Sequence, residues 1–236
     1  FLTRWQGVKA VRFMEFMAVN NSKEQNWHQR ARMDDATWTI HGAPVEVAVT
    51  IANRLHAAPW FSIPHLADDD YVRRFAQQVR EMLDPQLSVY IEYSNETWNP
   101  LFSQTQYCRE QGLALKLSDN PVQAGHRYAV QRSLEIFHIW KEMFGPTERL
   151  ITVMSGQAAS PEVNEERLSY QEAWRRCDAL AIAPYLNLNV SKSSTPSLAE
   201  VRNWSIGRLE RELAGNILAK STGWMRNGEK TAKRYG

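Results

Sequence analysis

Ser88-Val89-Tyr90-Ile91-Glu92-Tyr93-Ser94-Asn95-Glu96-Thr97-Trp98-Asn99 begins as an apolar, β-compatible run and closes as a polar loop. A side-chain period of two puts Val89, Ile91 and Tyr93 on one face and Tyr90, Glu92, Ser94 and Glu96 on the other. The first face suits packing against helices. The second, with two carboxylates on it, needs a polar or enclosed environment.

Working outward, comparable apolar runs occupy residues 8–17, 59–64, 150–154 and 179–184, which makes five candidate strands. Between and after them, helical spacing is read over 44–56, 69–83, 121–144, 161–174 and 197–220. Pro44 and Pro161 fit first helical turns, and Asp68-Asp69-Asp70 places acid where a helix start is electropositive. Gly145-Pro146 stops the long 121–144 helix. Strand followed by helix, repeated, implies parallel pairing and an α/β fold. A closed (β/α)8 barrel of the TIM type needs eight such units in about 250 residues. Five strands followed by a polar tail over 227–236 predict an incomplete barrel. The rival is an open, doubly wound sheet, but no GxGxxG or P-loop pattern follows any strand. No linker or repeat divides the chain, so 1–236 is read as a single domain.

The 236 residues carry 28 basic and 26 acidic side chains, a net charge of +2, with no long run of one sign. Nothing in that balance calls for nucleic acid or a membrane as partner. With 43% hydrophobic and 23% charged residues the chain is globular. Cys108 and Cys177 stand far apart, and His56, His65, His126 and His138 show no HExxH-like spacing, so neither a metal nor another cofactor is expected. No G-x-S-x-G elbow is present, since Ser155-Gly156 lacks the preceding glycine. A soluble protein is expected. The start at Phe1 rather than Met suggests that the native N-terminus, with any export signal, lies outside the chain; compartment, secretion and oligomeric state stay open.

Glu96 comes last on the inward-facing parity, at the C-terminal mouth where barrel enzymes place their chemistry. The same Asn-Glu dipeptide at Asn164-Glu165 falls in a helix start, so it is the strand-end position that singles out Asn95-Glu96. A strand ending in Ser94-Asn95-Glu96, followed by Trp98-Asn99, resembles the fourth barrel strand of clan A glycoside hydrolases, the retaining, cellulase-like TIM barrels. Residues 11–17 with Asn20-Asn21 look like the second strand and its loop, 60–65 like the third, and Ala183-Pro184-Tyr185 like the sixth, so strands two to six would be present. The resemblance implies a glycosidase acting on a β-linked oligosaccharide or polysaccharide. It makes Glu96 the acid/base and Asn95 a contact to the sugar hydroxyl beside the anomeric carbon. It also implies substrate contacts for Arg12, His65 and Tyr185. A nucleophilic Glu at a seventh strand would lie beyond Gly236, because Glu229, the last carboxylate, sits in a turn-like Asn227-Gly228-Glu229-Lys230 setting.

Each assignment has a plainer competitor. Glu96 could be a solvated strand-end carboxylate. Arg12 shares inward parity with Met14 and Phe16, and Glu92 with Glu96, so Arg12 could instead pair with Glu92 beneath the site. His65 could serve the loop leading into Asp68. Of the nine Trp residues, Trp98 and Trp27 lie in polar loops where a sugar-stacking role is more natural than a core one. At the level of function, the competitor is a non-catalytic carbohydrate-binding or interaction protein on a barrel frame.

Overall fold

The computed structural model describes residues 2–185, 190 and 196–236. Its centre is a five-stranded, all-parallel sheet of β1 (Ala10–Arg12), β2 (Ala58–Ile63), β3 (Val89–Tyr93), β4 (Leu150–Ser155) and β5 (Ala179–Ala181), in the order β1-β2-β3-β4-β5. The sheet curls into half a barrel. A doubly wound sheet reverses its order at a switch point. Sequential order excludes that rival, and it leaves one sheet face for helices and one for the concave interior.

The helices are α1 (Val45–Leu55), α2 (Asp69–Met82), α3 (Ser103–Ala114), α4 (Pro121–Phe144), α5 (Pro161–Ser169), α6 (Leu198–Val201), α7 (Ile206–Asn216) and α8 (Thr222–Tyr235). Their starts follow the expected chemistry. Asp68 Oδ1 accepts from the Tyr71 amide at 2.8 Å, and Asn120 Oδ1 from the Val122 amide at 2.9 Å ahead of Pro121. Gly145 ends α4 at φ 70°, a conformation open to glycine. In α1 the buried Val45, Ala48, Val49 and Ala52 form one stripe. The outer sheet face, including Phe61, Ile63, Ile91 and Tyr93, packs with Phe75 of α2 and Phe137 and Trp140 of α4 as the core.

Four expectations are corrected. The 8–17 run pairs only as Ala10–Arg12; Phe13 N–H adds one bond to the Trp60 carbonyl at 2.9 Å, and the chain then turns, with Ala18 at φ 49°. The inward parity of Arg12 and Met14 is therefore lost at Phe16, which lies 42% exposed beside Trp5 and Ile51. Helix α3 was not foreseen. It carries little amphipathic pattern, and its Gly112 is needed because a Cβ there would collide with the Ala124 carbonyl of α4. The 197–220 helix is broken into α6, α7 and a π-type turn at Ile217–Ser221. The supposed turn around Glu229 lies inside α8, where Glu229 pairs with Lys233 at 2.6 Å one turn on. Gly228 is present for close packing, since a Cβ would stand 2.8 Å from Ile182 Cδ1.

Candidate active site

Because parallel neighbours in register point the same way, Arg12 (β1), Trp60 (β2) and Tyr90 (β3) share one interior level, and Ser62 and Glu92 the next. Trp60 stacks on Tyr90 with ring centroids 5.5 Å apart, and the Arg12 guanidinium lies 5.5 Å from the Trp60 ring centre. Glu92 Oε2 collects four donors: Arg12 Nη2 at 2.9 Å and Nε at 3.2 Å, Trp60 Nε1 at 2.9 Å, and the Ser62 hydroxyl at 3.4 Å. Burial pushes the Glu92 carboxyl up while Arg12 and these donors pull it down, with burial the larger. The Arg12–Glu92 pair beneath the site is thus formed.

Glu96 reaches the same interior by another route than straight strand parity. The strand stops at Tyr93, and both Ser94 (φ 54°) and Glu96 (φ 40°) are left-handed, an uncommon state for residues with a Cβ. The turn is held from several sides. Ser94 N–H donates to the Ile63 carbonyl at 2.8 Å, the buried Gln104 of α3 donates to the Asn95 carbonyl at 2.9 Å, and Asn99 N–H donates to the Glu96 carbonyl at 2.8 Å. The Glu96 carboxylate then accepts from the Tyr185 hydroxyl at 2.5 Å and from Asn99 Nδ2 at 2.7 Å. That hydrogen bond holds the Tyr185 phenol above its ordinary value, so Tyr185 remains a donor. Tyr185 is in turn fixed by Ser221, whose hydroxyl donates to the Tyr185 carbonyl at 3.1 Å just before α8.

These elements enclose a cavity of about 210 Å³ at the C-terminal end of the sheet. Its lining includes Arg12, Trp60, Glu92, Asn95, Glu96 and Trp98 from the first three strands and the loop after β3, and Ser155-Gly156 and Tyr185 from β4 and the segment after β5. Five of the seven residues singled out in the sequence line it: Arg12, Asn95, Glu96, Trp98 and Tyr185. Asn95 is already engaged, accepting from Arg12 Nη2 at 3.1 Å and donating to Asn20 Oδ1 at 3.0 Å. Trp98 has its indole N–H buried with no hydrogen-bond partner among the described residues.

No protein family, curated protein or solved structure matches this chain. Its chemistry is therefore read from the cavity itself.

The structure places the other two residues elsewhere. His65 is buried away from the cavity, edge-on to Tyr107 at 5.4 Å, with Nδ1 unpartnered among the described residues; burial lowers it to about 4, so the ring is neutral at pH 7. Nor does it cap α2, which is the role of Asp68. Trp27 packs edge-on against Tyr71 at 5.4 Å and Phe75 at 6.4 Å, with the Arg30 guanidinium 4.3 Å over its ring, and does not line the cavity. Its polar sequence neighbours conceal an apolar seat on α2. Trp27→Ala is therefore expected to lower stability by about 3 kcal/mol, the low end for a truncated Trp because the ring is only half-buried, and to leave ligand binding in the cavity unchanged. Melting curves and ligand titrations on one sample check both halves.

Sequence reasoning missed Trp60 as a site residue, although its parity opposite Phe61 and Ile63 was a usable signal. Asn20 and Gln104 also escaped it. Gln104 Nε2 donates to Asn20 Oδ1 at 2.8 Å, which ties the loop after β1 to the loop after β3; only the three-dimensional arrangement brings them together.

Proposed function

We propose that the chain is the central part of a (β/α)8 retaining glycoside hydrolase acting on a β-linked oligosaccharide or polysaccharide, with Glu96 as acid/base. One observation carries the reading. A carboxylate at the C-terminal end of a curled parallel sheet shares a cavity with two indoles, an arginine and an asparagine, the mix of flat apolar faces and polar groups that suits a pyranose ring.

In this reading the protonated Glu96 carboxyl gives its proton to the glycosidic oxygen as the bond to the anomeric carbon breaks and a second carboxylate bonds to that carbon. The Glu96 carboxylate then takes a proton from water, whose oxygen replaces the second carboxylate. Tyr185 and Asn99 orient Glu96; Asn95, held by Arg12 and Asn20, presents its remaining amide capacity to the hydroxyl beside the reacting carbon. Trp98 and Trp60 offer ring faces. Glu92 is a poor choice as the second carboxylate, because its Oε2 is committed to Arg12, Trp60 and Ser62. The reading assigns the nucleophile to a strand outside these 236 residues.

Side-by-side assays of the gene product and of the 236-residue chain on aryl β-glycosides and β-glucans test this. The gene product should hydrolyse with retention, and the chain alone should bind without turnover. Turnover by the chain that depends on a carboxylate other than Glu96 would refute the assignment. Binding without hydrolysis by the gene product would favour the carbohydrate-binding alternative.

A further inference from the structure

Arg167, on α5, is 1% exposed, and none of its hydrogen bonds goes to a carboxylate. Its Nη1 donates to the Ser155 carbonyl and hydroxyl, both at 2.9 Å, its Nη2 to the Thr97 hydroxyl at 2.7 Å, and its Nε to His126 Nδ1 at 3.4 Å. Burial pulls the guanidinium down to about 10, so it stays charged at neutral pH. A cation bonded to neutral acceptors loses its hydration without a direct ion pair, with Glu166 and Glu92 acting on it only through space, which makes it a costly way to fill space.

The partners give the arrangement its sense. Thr97 follows Glu96, and Ser155, which ends the neighbouring strand β4, precedes Gly156; Glu96, Ser155 and Gly156 all line the cavity. Left-handed residues with a Cβ persist only where their surroundings fix them. The backbone of residues 94–97 is held from β2, from α3 and from the turn itself, and the side chains of Asn95 and Glu96 by Arg12, Asn20, Asn99 and Tyr185, whereas the Arg167 bond to Thr97 reaches β4. The planar fork of a guanidinium can hold both partners at once, which a lysine ammonium at the end of a flexible stem does less well.

We infer that Arg167 is a positioning residue for Glu96: by joining Thr97 to Ser155 it locks the turn that bears the carboxylate to the end of β4 and sets the width of the cavity. The clamp stands on its geometry; its effect on turnover rests on the glycosidase reading above.

Thr97→Val removes the acceptor at nearly constant shape, and Thr97→Ser keeps it. In the gene product, Thr97→Val should lower kcat by up to about 100-fold with KM little changed, the scale of effect expected when a reacting group is misplaced by about 1 Å. Thr97→Ser should retain the wild-type kcat. A readout free of activity is the indole N–H signal of the neighbouring Trp98 in a nitrogen–proton correlation spectrum, assigned with Trp98→Phe. It should move in Thr97→Val and not in Thr97→Ser, while the signal of the distant Trp140 stays in place. Arg167→Lys, which keeps the charge, replaces Thr97→Val if the latter does not fold and should show the same losses. A folded Thr97→Val or Arg167→Lys protein with wild-type kcat, or with an unmoved Trp98 signal, would overturn the inference. If wild-type protein itself turns over no glycoside, the glycosidase reading fails, and the Trp98 signal still decides the clamp.

Discussion

Glu96→Gln in the gene product is expected to lose about 10²–10⁴ of its turnover on β-glycans with poor leaving groups, the usual worth of one proton-transfer group in a transition state. The amide keeps the shape and still meets Tyr185 and Asn99, now 2.5 and 2.7 Å from the carboxylate oxygens, so folding should change little. What it cannot do is give up a proton and take one back. The loss should therefore follow leaving-group quality. An activated aryl glycoside departs without protonation, and its glycosylation step should be nearly spared, leaving deglycosylation slow. Steady-state rates over a series of aryl leaving groups check this. A uniform loss, independent of leaving group, would mean that Glu96 orients substrate instead.

The second large effect is on stability. Arg12→Met strands Glu92, whose side chain is 4% exposed against 33% for Arg12. Removing one partner of a buried pair typically costs 3–5 kcal/mol, and with Trp60 and Ser62 still bonded the loss at pH 8 should be about 3 kcal/mol. The sign of its pH dependence follows from burial, which already holds the Glu92 carboxyl above its ordinary range. A carboxyl raised in the folded state contributes stability below its unfolded value, near 4.3, and loses that contribution as pH rises through the folded value. Without Arg12 the folded value rises further, so the deficit should be small near pH 4.5 and grow towards pH 8. Arg12→Met combined with Glu92→Gln should recover most of it, because no charge is then left buried. Urea melts of the two proteins at both pH values give the comparison; a pH-independent deficit would show that Arg12 acts by packing alone.

Strand and helix alternation is legible in this chain because the strands are short apolar runs, because α1, α2, α4 and α5 begin on Pro, Asp or Asn, and because Gly145 ends the longest helix. Helix α3 is not, since Gly112 and a weak apolar stripe hide it; its reason for being there is tertiary, the fit against α4 and the Gln104 bonds into the site. Glu96 was found by parity, yet it enters the cavity through a left-handed turn that period two does not describe. The Arg12–Glu92 pair could be anticipated because neither charge tolerates burial alone. Trp27 shows the opposite failure: local polarity said loop, while Tyr71 and Phe75, more than forty residues on, supply its apolar seat. Arg167 gives no sequence signal at all, as a lone helical arginine is ordinarily solvated.

The most direct measurement is azide rescue of Glu96→Ala in the gene product, with an activated aryl β-glycoside as substrate. Loss of the acid/base leaves a glycosyl-enzyme intermediate that water attacks slowly and that azide, needing no general base, attacks from the face the carboxylate vacated. Glu96 as acid/base predicts acceleration by azide and a β-glycosyl azide product. An α-glycosyl azide would make Glu96 the nucleophile, and a wild-type rate untouched by azide would remove it from the chemistry.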